Sequence, residues 1–354
     1  MKNEALANKN AFVNEKSLNG EENFIANADI NSFFGREKLV SFFIKAKKND
    51  RLSHTYILEG EEGMGKKTLA KYLSLIIMCD ADEPCLKCKK CTYTLAGTNP
   101  DIYTVSNEDK ASIGIAKIRG MITEAYIKPS VSEKRIFIID KAHLLTKEAQ
   151  NALLKIIEEP PQYCVFILLC ENTSLLLPTV LSRGVILKLE PLCDEDMAKI
   201  CKDENGLFLG YAGGNPGKLI KLLNDENFTS LRDSFFDVIL NLLDRDGYAI
   251  YKILDFFEEN KDKKDVLMQM AMTFFFDVML CKNSSEEYMI NKDKTNYAKR
   301  FCDALSEKKC LNLCEIVSQI KKEMGKYGAY TVNIHSMLIK FWEEIHGLDS
   351  RSAL

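Results

Sequence analysis

The segment of this 354-residue sequence best suited to chemistry is Gly60-Glu61-Glu62-Gly63-Met64-Gly65-Lys66-Lys67-Thr68. Gly60, Gly65 and Lys66 stand at the spacing of a phosphate-binding P-loop. Glycines let successive backbone N–H groups turn toward phosphate oxygens. A following helix N-terminus adds partial positive charge, and the lysine reaches the terminal phosphates. A tight strand–helix turn with an incidental lysine is the plainer alternative. The motif wants Ser or Thr after the lysine, because that hydroxyl holds Mg²⁺. Here the position is Lys67, a cation where a cation should bind. Thr68 comes one residue late, about 100° further around a helix, and is a poor substitute.

A second acidic position is altered in the same sense. Asp140 ends the run Arg135–Asp140, where a carboxylate would face Mg²⁺; a helix-capping aspartate is the alternative. A hydrolytic site then usually carries a glutamate that orients water. This chain has Lys141, which is protonated at neutral pH and cannot act as that base. Both changes remove hydrolytic chemistry from an otherwise nucleotide-shaped loop, so ATP binding by this chain is in doubt.

Cys79, Cys85, Cys88 and Cys91 form C-x₅-C-x₂-C-x₂-C in a polar stretch. Four thiolates at that spacing suit a closed, structural Zn²⁺ site. Unrelated buried thiols are the alternative, but strict three-residue spacing is unlike core packing. The other eight cysteines (164, 170, 193, 201, 281, 302, 310 and 314) read as small core residues. Lys87, Lys89 and Lys90 flank the sulfurs. With no aromatic stacking platform beside them, they read as a solvated basic loop rather than a nucleic-acid surface.

Regular elements must hold these groups in place. Thr55–Glu59, Ile102–Val105, Arg135–Asp140, Cys164–Cys170 and Val185–Leu189 read as strands, several apolar enough to be covered on both faces. Lys66–Met78, Ile113–Tyr126 and Thr146–Glu158 read as helices between them. Thr146 is placed as an N-cap, and Pro160-Pro161 ends the third helix. Strand–helix alternation argues for a mainly parallel α/β sheet. After Pro191 the strands stop. Glu195–Lys202 and Lys218–Leu223 read as short helices around a Gly-rich joint. From about residue 230 to 346 the pattern is helical throughout, for example Leu231–Leu243, Val266–Cys281 and Val332–Ile345.

Composition bounds the rest. Hydrophobic residues make up 46% and charged residues 28%, which excludes a disordered chain. The formal net charge of −3 gives no general attraction to nucleic acid. No stretch approaches the ~20 apolar residues of a membrane span. No apolar secretory core opens the sequence, so a reducing cytoplasm is expected. The expected organisation is a disordered polar tail (1–32), an α/β domain (33–191) with a cysteine module (79–91), a small helical lid (192–228), a helical C-terminal domain (229–346) and a short tail (347–354).

Further runs carry a resemblance. Asn99-Pro100-Asp101, Ile118-Arg119, the long segment from Ala149 through Asn151-Ala152-Leu153-Leu154-Lys155 to Glu158-Glu159-Pro160-Pro161, and Leu177–Arg183 accompany the P-loop and the cysteines. Together they resemble the bacterial clamp-loader branch of the AAA+ proteins, strongly over about residues 33–224. The resemblance implies an AAA+ P-loop domain, a helical lid and a C-terminal collar through which subunits join. It implies a structural zinc. It also implies a subunit of the DNA polymerase III holoenzyme, working beside gamma/tau and delta subunits in a hetero-oligomeric ring that acts on a sliding clamp and primer–template DNA. Ser182-Arg183 matches the family's Ser-Arg-Cys motif, whose arginine projects into a neighbour's ATP site; here Gly184 replaces the cysteine. Asn172 matches a sensor-1 position, and Lys218 stands where a sensor-2 arginine often sits. With Gly60, Gly63, Gly65, Lys66, Thr68 and Asp140 these complete a degenerate nucleotide site. A solvated loop arginine is the alternative for Arg183.

Two functional classes follow. One is a non-hydrolysing subunit that lends Arg183 to a neighbour. The other is an ATP-hydrolysing motor of gamma/tau type, against which Lys67 and Lys141 both argue. The C-terminal helices carry no nameable chemistry: Phe235, Phe236, Ile239, Leu242 and Leu243 read as core or subunit packing.

Overall fold

A computed structural model describes residues 35–106, 112–200, 206–246, 248–324 and 330–347. The polar tail 1–32, residues 348–354 and Cys201 lie outside the described residues. The chain divides into two compact units between Asp196 and Met197.

The first unit is built on five parallel strands: β1 (Thr55–Glu59), β2 (Ile102–Val105), β3 (Arg135–Ile139), β4 (Cys164–Cys170) and β5 (Val185–Lys188). Their spatial order is β2-β3-β4-β1-β5. The central registers pair Ile57 with Leu168 and Phe137 with Phe166. All seven residues of β4 are buried, as its unbroken apolar run required. Alternation then sorts side chains by face. Ile57, Phe137, Ile139, Phe166 and Leu168 pack against helices Ile115–Ala125 and Lys147–Glu158. Tyr56, Leu58, Ile136, Val165 and Leu169 pack against helices Glu37–Lys48 and Lys66–Met78. The result is a three-layer sandwich, with helices on both faces of the sheet and the Gly-rich loop following β1.

Local sequence explains the helix ends that matter. Thr146 caps Lys147–Glu158, its hydroxyl accepting from the Ala149 N–H at 3.2 Å. Gly65, with φ of +82°, turns the chain from the P-loop into Lys66–Met78. Asp101, 1% exposed, accepts N–H bonds from Ser130, Val131 and Ser132, tying the start of β2 to the turn before β3. The helix Glu37–Lys48 and the short helices Lys89–Leu95, inside the cysteine module, Pro178–Leu181 and Leu207–Ala212 went unread in the sequence.

Among the described residues, the regular elements of the second unit are all helices. Its core joins Phe235, Phe236, Phe257, Phe274, Phe275, Phe301 and Phe341 to the short helices Leu207–Ala212 and Pro216–Leu223 through Tyr211 and Leu222. A buried polar network crosses it. Arg232, 2% exposed, donates to both Asp293 carboxylate oxygens and to Asn291. Asp277, fully buried, accepts from the N–H groups of Ile290 and Asn291 and from the Asn291 amide.

The reading of the eight remaining cysteines needs correction. Cys164, Cys170, Cys281 and Cys310 are buried and Cys314, half-buried, packs against the second unit's core, but Cys302 is only half-buried and Cys193 is exposed. Cys193 lies just before the helix Asp194–Ile200, where its thiol donates to Asp196 at 3.3 Å. An apolar neighbour such as Leu192 does not bury a residue beyond the end of the sheet.

Candidate functional site: a P-loop cleft, a paired arginine and a four-cysteine module

Parallel strands put every strand-to-helix loop of this kind at one edge of the sheet, the carboxyl edge, where ligands of open α/β sheets bind. Gly60 after β1, Asp140 after β3 and Asn172 after β4 all stand there. Gly60 is closely packed: a Cβ there would lie 3.2 Å from that of Leu189, which would have to give by a few tenths of an ångström. Gly63 and Gly65 take left-handed backbone angles, φ +87° and +82°.

The two lysines of the loop are both engaged within the chain. Lys66 Nζ donates to the carbonyls of Gly60 (2.5 Å) and Glu61 (2.8 Å), so it lies back across the loop it would serve. Burial pulls its pKa below the ordinary lysine value, opposed by Glu171 and other acids nearby. Lys67 Nζ lies 3.2 Å from Asp140 Oδ2. Asp140 is 9% exposed, so its carboxylate meets an ammonium where a Mg²⁺-dependent enzyme needs a hydroxyl and an acid to share a metal. Thr68 is half-buried in the first turn of the helix. Lys141 has left-handed angles (φ 51°, ψ 48°) and starts the turn Ala142–Leu144. His143 in that turn accepts a hydrogen bond from the Glu171 N–H at 3.3 Å through Nδ1. Burial, opposed by the nearby Glu171, lowers its pKa and favours the neutral ring.

Asn172 is exposed, and its side-chain oxygen caps the turn Thr173–Leu175 by accepting from the Ser174 N–H at 2.8 Å. Glu59 at the end of β1 accepts from the Thr173 N–H and hydroxyl (3.0 and 2.9 Å), clamping the β1 and β4 loops together. Those bonds, the backbone one foremost, hold its carboxyl below the ordinary pKa. Lys218 belongs to the second unit, in the first turn of Pro216–Leu223, where its N–H donates to the capping Asn215 side chain.

Arg183 follows the short helix Pro178–Leu181. Its guanidinium donates to the Thr179 carbonyl at 2.8 Å and the Ser182 hydroxyl at 3.2 Å, and pairs with Glu158 at 2.7 Å. About a third of the side chain remains exposed, at 36%. The Glu158 partner was not read from the sequence; the only cue was an acid at a helix C-terminus, where charge–dipole physics disfavours one. Gly184 also finds its reason. A Cβ there would sit 2.8 and 2.9 Å from Ile57 Cδ1 and Cγ1, so the branched side chain on β1 fills the space a cysteine would take.

The four module cysteines converge: their sulfurs all lie within 4.8 Å of one another. Tetrahedral zinc with ~2.3 Å Zn–S bonds puts sulfurs about 3.8 Å apart, so the set fits the ion and needs only a small contraction. The backbone already points N–H groups at the sulfurs, from Cys85 to Cys79, Cys88 to Cys85 and Cys91 to Cys88, each at 3.4 Å. N–H bonds from Lys87 and then Cys88 draw the Cys85 thiol down to about 6, while burial pushes Cys91 up. Lys47 of the first helix donates to the carbonyls of Cys79 and Ala81, fastening the module to the sandwich.

Comparison with known proteins supplies the family. Residues 35–193 match the sequence family described as DNA polymerase III, delta subunit, and residues 226–338 match its C-terminal counterpart. A DNA polymerase III subunit delta′ from Bacillus subtilis is 27% identical over 312 residues, covering 85% of this chain and 93% of that protein. The chain belongs to the clamp-loader subunit family of DNA polymerase III. Other relatives align over less of this chain. A gamma subunit from Buchnera aphidicola is 30% identical over 57% of this chain and 55% of its own length. The tau subunit of B. subtilis is 32% identical over 42% of this chain and 27% of its own length. Among the described residues of this clamp-loader subunit, no helix is long and apolar enough to cross a membrane.

Proposed function

We propose that this chain is the non-hydrolysing, delta′-type subunit of a clamp loader, and that it supplies Arg183 to the ATP site of a neighbouring subunit. The observation that carries the reading is the Lys67–Asp140 ion pair at 3.2 Å. An ammonium on the acidic residue competes with Mg²⁺ for the same carboxylate, and Lys141 offers no base behind it. Lys66, bonded to two loop carbonyls, points the same way. Arg183, by contrast, keeps an exposed guanidinium of the kind that stabilises phosphoryl charge in trans. In this reading the neighbours are gamma/tau and delta subunits in a ring, the second unit serves as the collar, zinc holds Cys79, Cys85, Cys88 and Cys91, and the complex acts on a sliding clamp and primer–template DNA in the cytoplasm.

The test is a reconstituted clamp loader carrying Arg183→Ala. Assembly should persist, while ATP turnover at the site facing this subunit falls by about 10³-fold, the scale of a lost trans arginine. Unchanged turnover would remove the trans role. A second reading, an ATP-hydrolysing gamma/tau-type motor, is favoured by the 30% and 32% identities to gamma and tau, which exceed the 27% to delta′. Titrating the isolated chain with ATP, with and without Mg²⁺, separates the two. Mg²⁺-dependent turnover by the chain alone would establish the motor.

A further inference from the structure

We infer that Glu158 is a positioning residue for Arg183: its carboxylate fixes the guanidinium in the orientation from which it is presented to a neighbouring subunit. The inference rests on the proposed role of Arg183 in trans. It adds a residue that no sequence motif assigns to that role.

Glu158 is the last residue of Lys147–Glu158, and Glu159 caps the same helix. Two acids there face the negative end of the helix dipole, an arrangement that costs stability. Local rules broken without a local gain point to a functional demand. The structure shows one gain for Glu158, the 2.7 Å bond from Arg183 Nη2. Arg183 Nη1 is held separately by the Thr179 carbonyl at 2.8 Å and by the Ser182 hydroxyl at 3.2 Å. These contacts fix one edge of a planar group that has five N–H donors in a rigid fork. The Glu158 contact stops rotation about the remaining side-chain torsions. Donors not used by these acceptors stay available to a phosphate. The helix carrying Glu158 is anchored by Ala149, Leu153, Ile156 and Ile157 in the sheet core, so the carboxylate stands on a rigid element.

The expected behaviour separates positioning from both a structural role and a restraining one. In a reconstituted clamp loader whose other ATP sites are silenced, Glu158→Ala should lower kcat about two- to fivefold, the scale of an exposed charge-assisted contact, with KM for ATP unchanged. Glu158→Gln keeps an acceptor at the same reach and should recover most of that loss. Neither substitution should lower the thermal midpoint of the subunit, because each removes an acid from a helix C-terminus. A rise in kcat with Glu158→Ala would overturn the inference, since Glu158 would then be restraining Arg183. So would an unchanged kcat, or a fall in kcat that tracks a fall in thermal midpoint. Arg183→Ala in the same assay keeps the two ideas apart. If it too leaves turnover unchanged, the trans role itself fails; if it alone lowers turnover, only the part given to Glu158 fails.

Discussion

One side chain, Lys67, decides the character of the P-loop cleft. Its ammonium lies 3.2 Å from Asp140, whose side chain is 13% exposed, while the lysine's is 61% exposed. A pair this open contributes little to stability, roughly 0–1 kcal/mol, so its replacement should be tolerated. Lys67→Thr would return a hydroxyl to the first turn of Lys66–Met78 and release Asp140 for a metal. The expected outcome is ATP affinity at least about tenfold higher with Mg²⁺ than without, read by isothermal titration of the isolated subunit. No turnover should appear, because Lys141 still occupies the position of the water-orienting acid. Turnover in the single variant would mean that Lys141 does not block the chemistry. Equal affinity with and without Mg²⁺ would mean that the ion pair is not what excludes the metal.

Two elements show how neighbouring segments constrain what a motif can contain. Gly184 precedes the edge strand β5, and Ile57 projects from β1 into the space a Cβ would need. Gly184→Ala is therefore expected to cost about 1–3 kcal/mol in chemical denaturation. Ile57→Ala should cost less in that background than in the parent chain, and additivity in the double-mutant cycle would show that the two do not meet. The cysteine module is the other case. If the four sulfurs hold one ion, chelation or Cys88→Ser should remove about one equivalent of zinc and expose the amides of Lys89–Leu95 to hydrogen exchange while those of β4 stay protected. What the sequence made legible follows the same division. The strands Thr55–Glu59 and Cys164–Cys170 and the helix Lys66–Met78 have the bounds that their apolar runs and flanking turns indicate. The cysteine spacing likewise anticipated the convergence of the sulfurs. Pairings across the sequence were not legible. Nothing near Arg183 names Glu158, nothing near Gly184 names Ile57, and Asn99-Pro100-Asp101 does not say that Asp101 collects three N–H groups some thirty residues later. Periodicity reports what is local, while these contacts exist only once the sheet has formed.

At the scale of the whole chain, the two units have separate cores and different acid chemistry. In the first, burial alone would raise the Asp101 pKa, but the N–H bonds from Ser130, Val131 and Ser132 outweigh it, and the pKa falls below the ordinary aspartate value. Glu59 is depressed as well, chiefly by the Thr173 N–H. A carboxyl whose folded pKa is depressed stabilises the fold above its unfolded pKa and loses that contribution as pH falls through the folded one. The first unit should therefore weaken progressively below about pH 4. The second unit carries opposed terms. Asp293 is depressed by its bonds to Arg232, but burial raises Asp277 above the ordinary value despite the N–H groups it accepts. A raised carboxyl binds its proton more tightly in the folded state, so its contribution grows as pH falls and offsets the loss at Asp293. The first unit should consequently unfold at a higher pH than the second. The sequence contains one tryptophan, Trp342, on the last helix of the second unit, so its fluorescence reports that unit alone. On acidification, far-ultraviolet circular dichroism should lose signal in a first step with little change at Trp342, and tryptophan emission should change in a second step at lower pH. Asp101→Asn should move the first step to higher pH and leave the second in place. Coincident transitions in both probes would show that the units unfold together and that these carboxylates do not set the order.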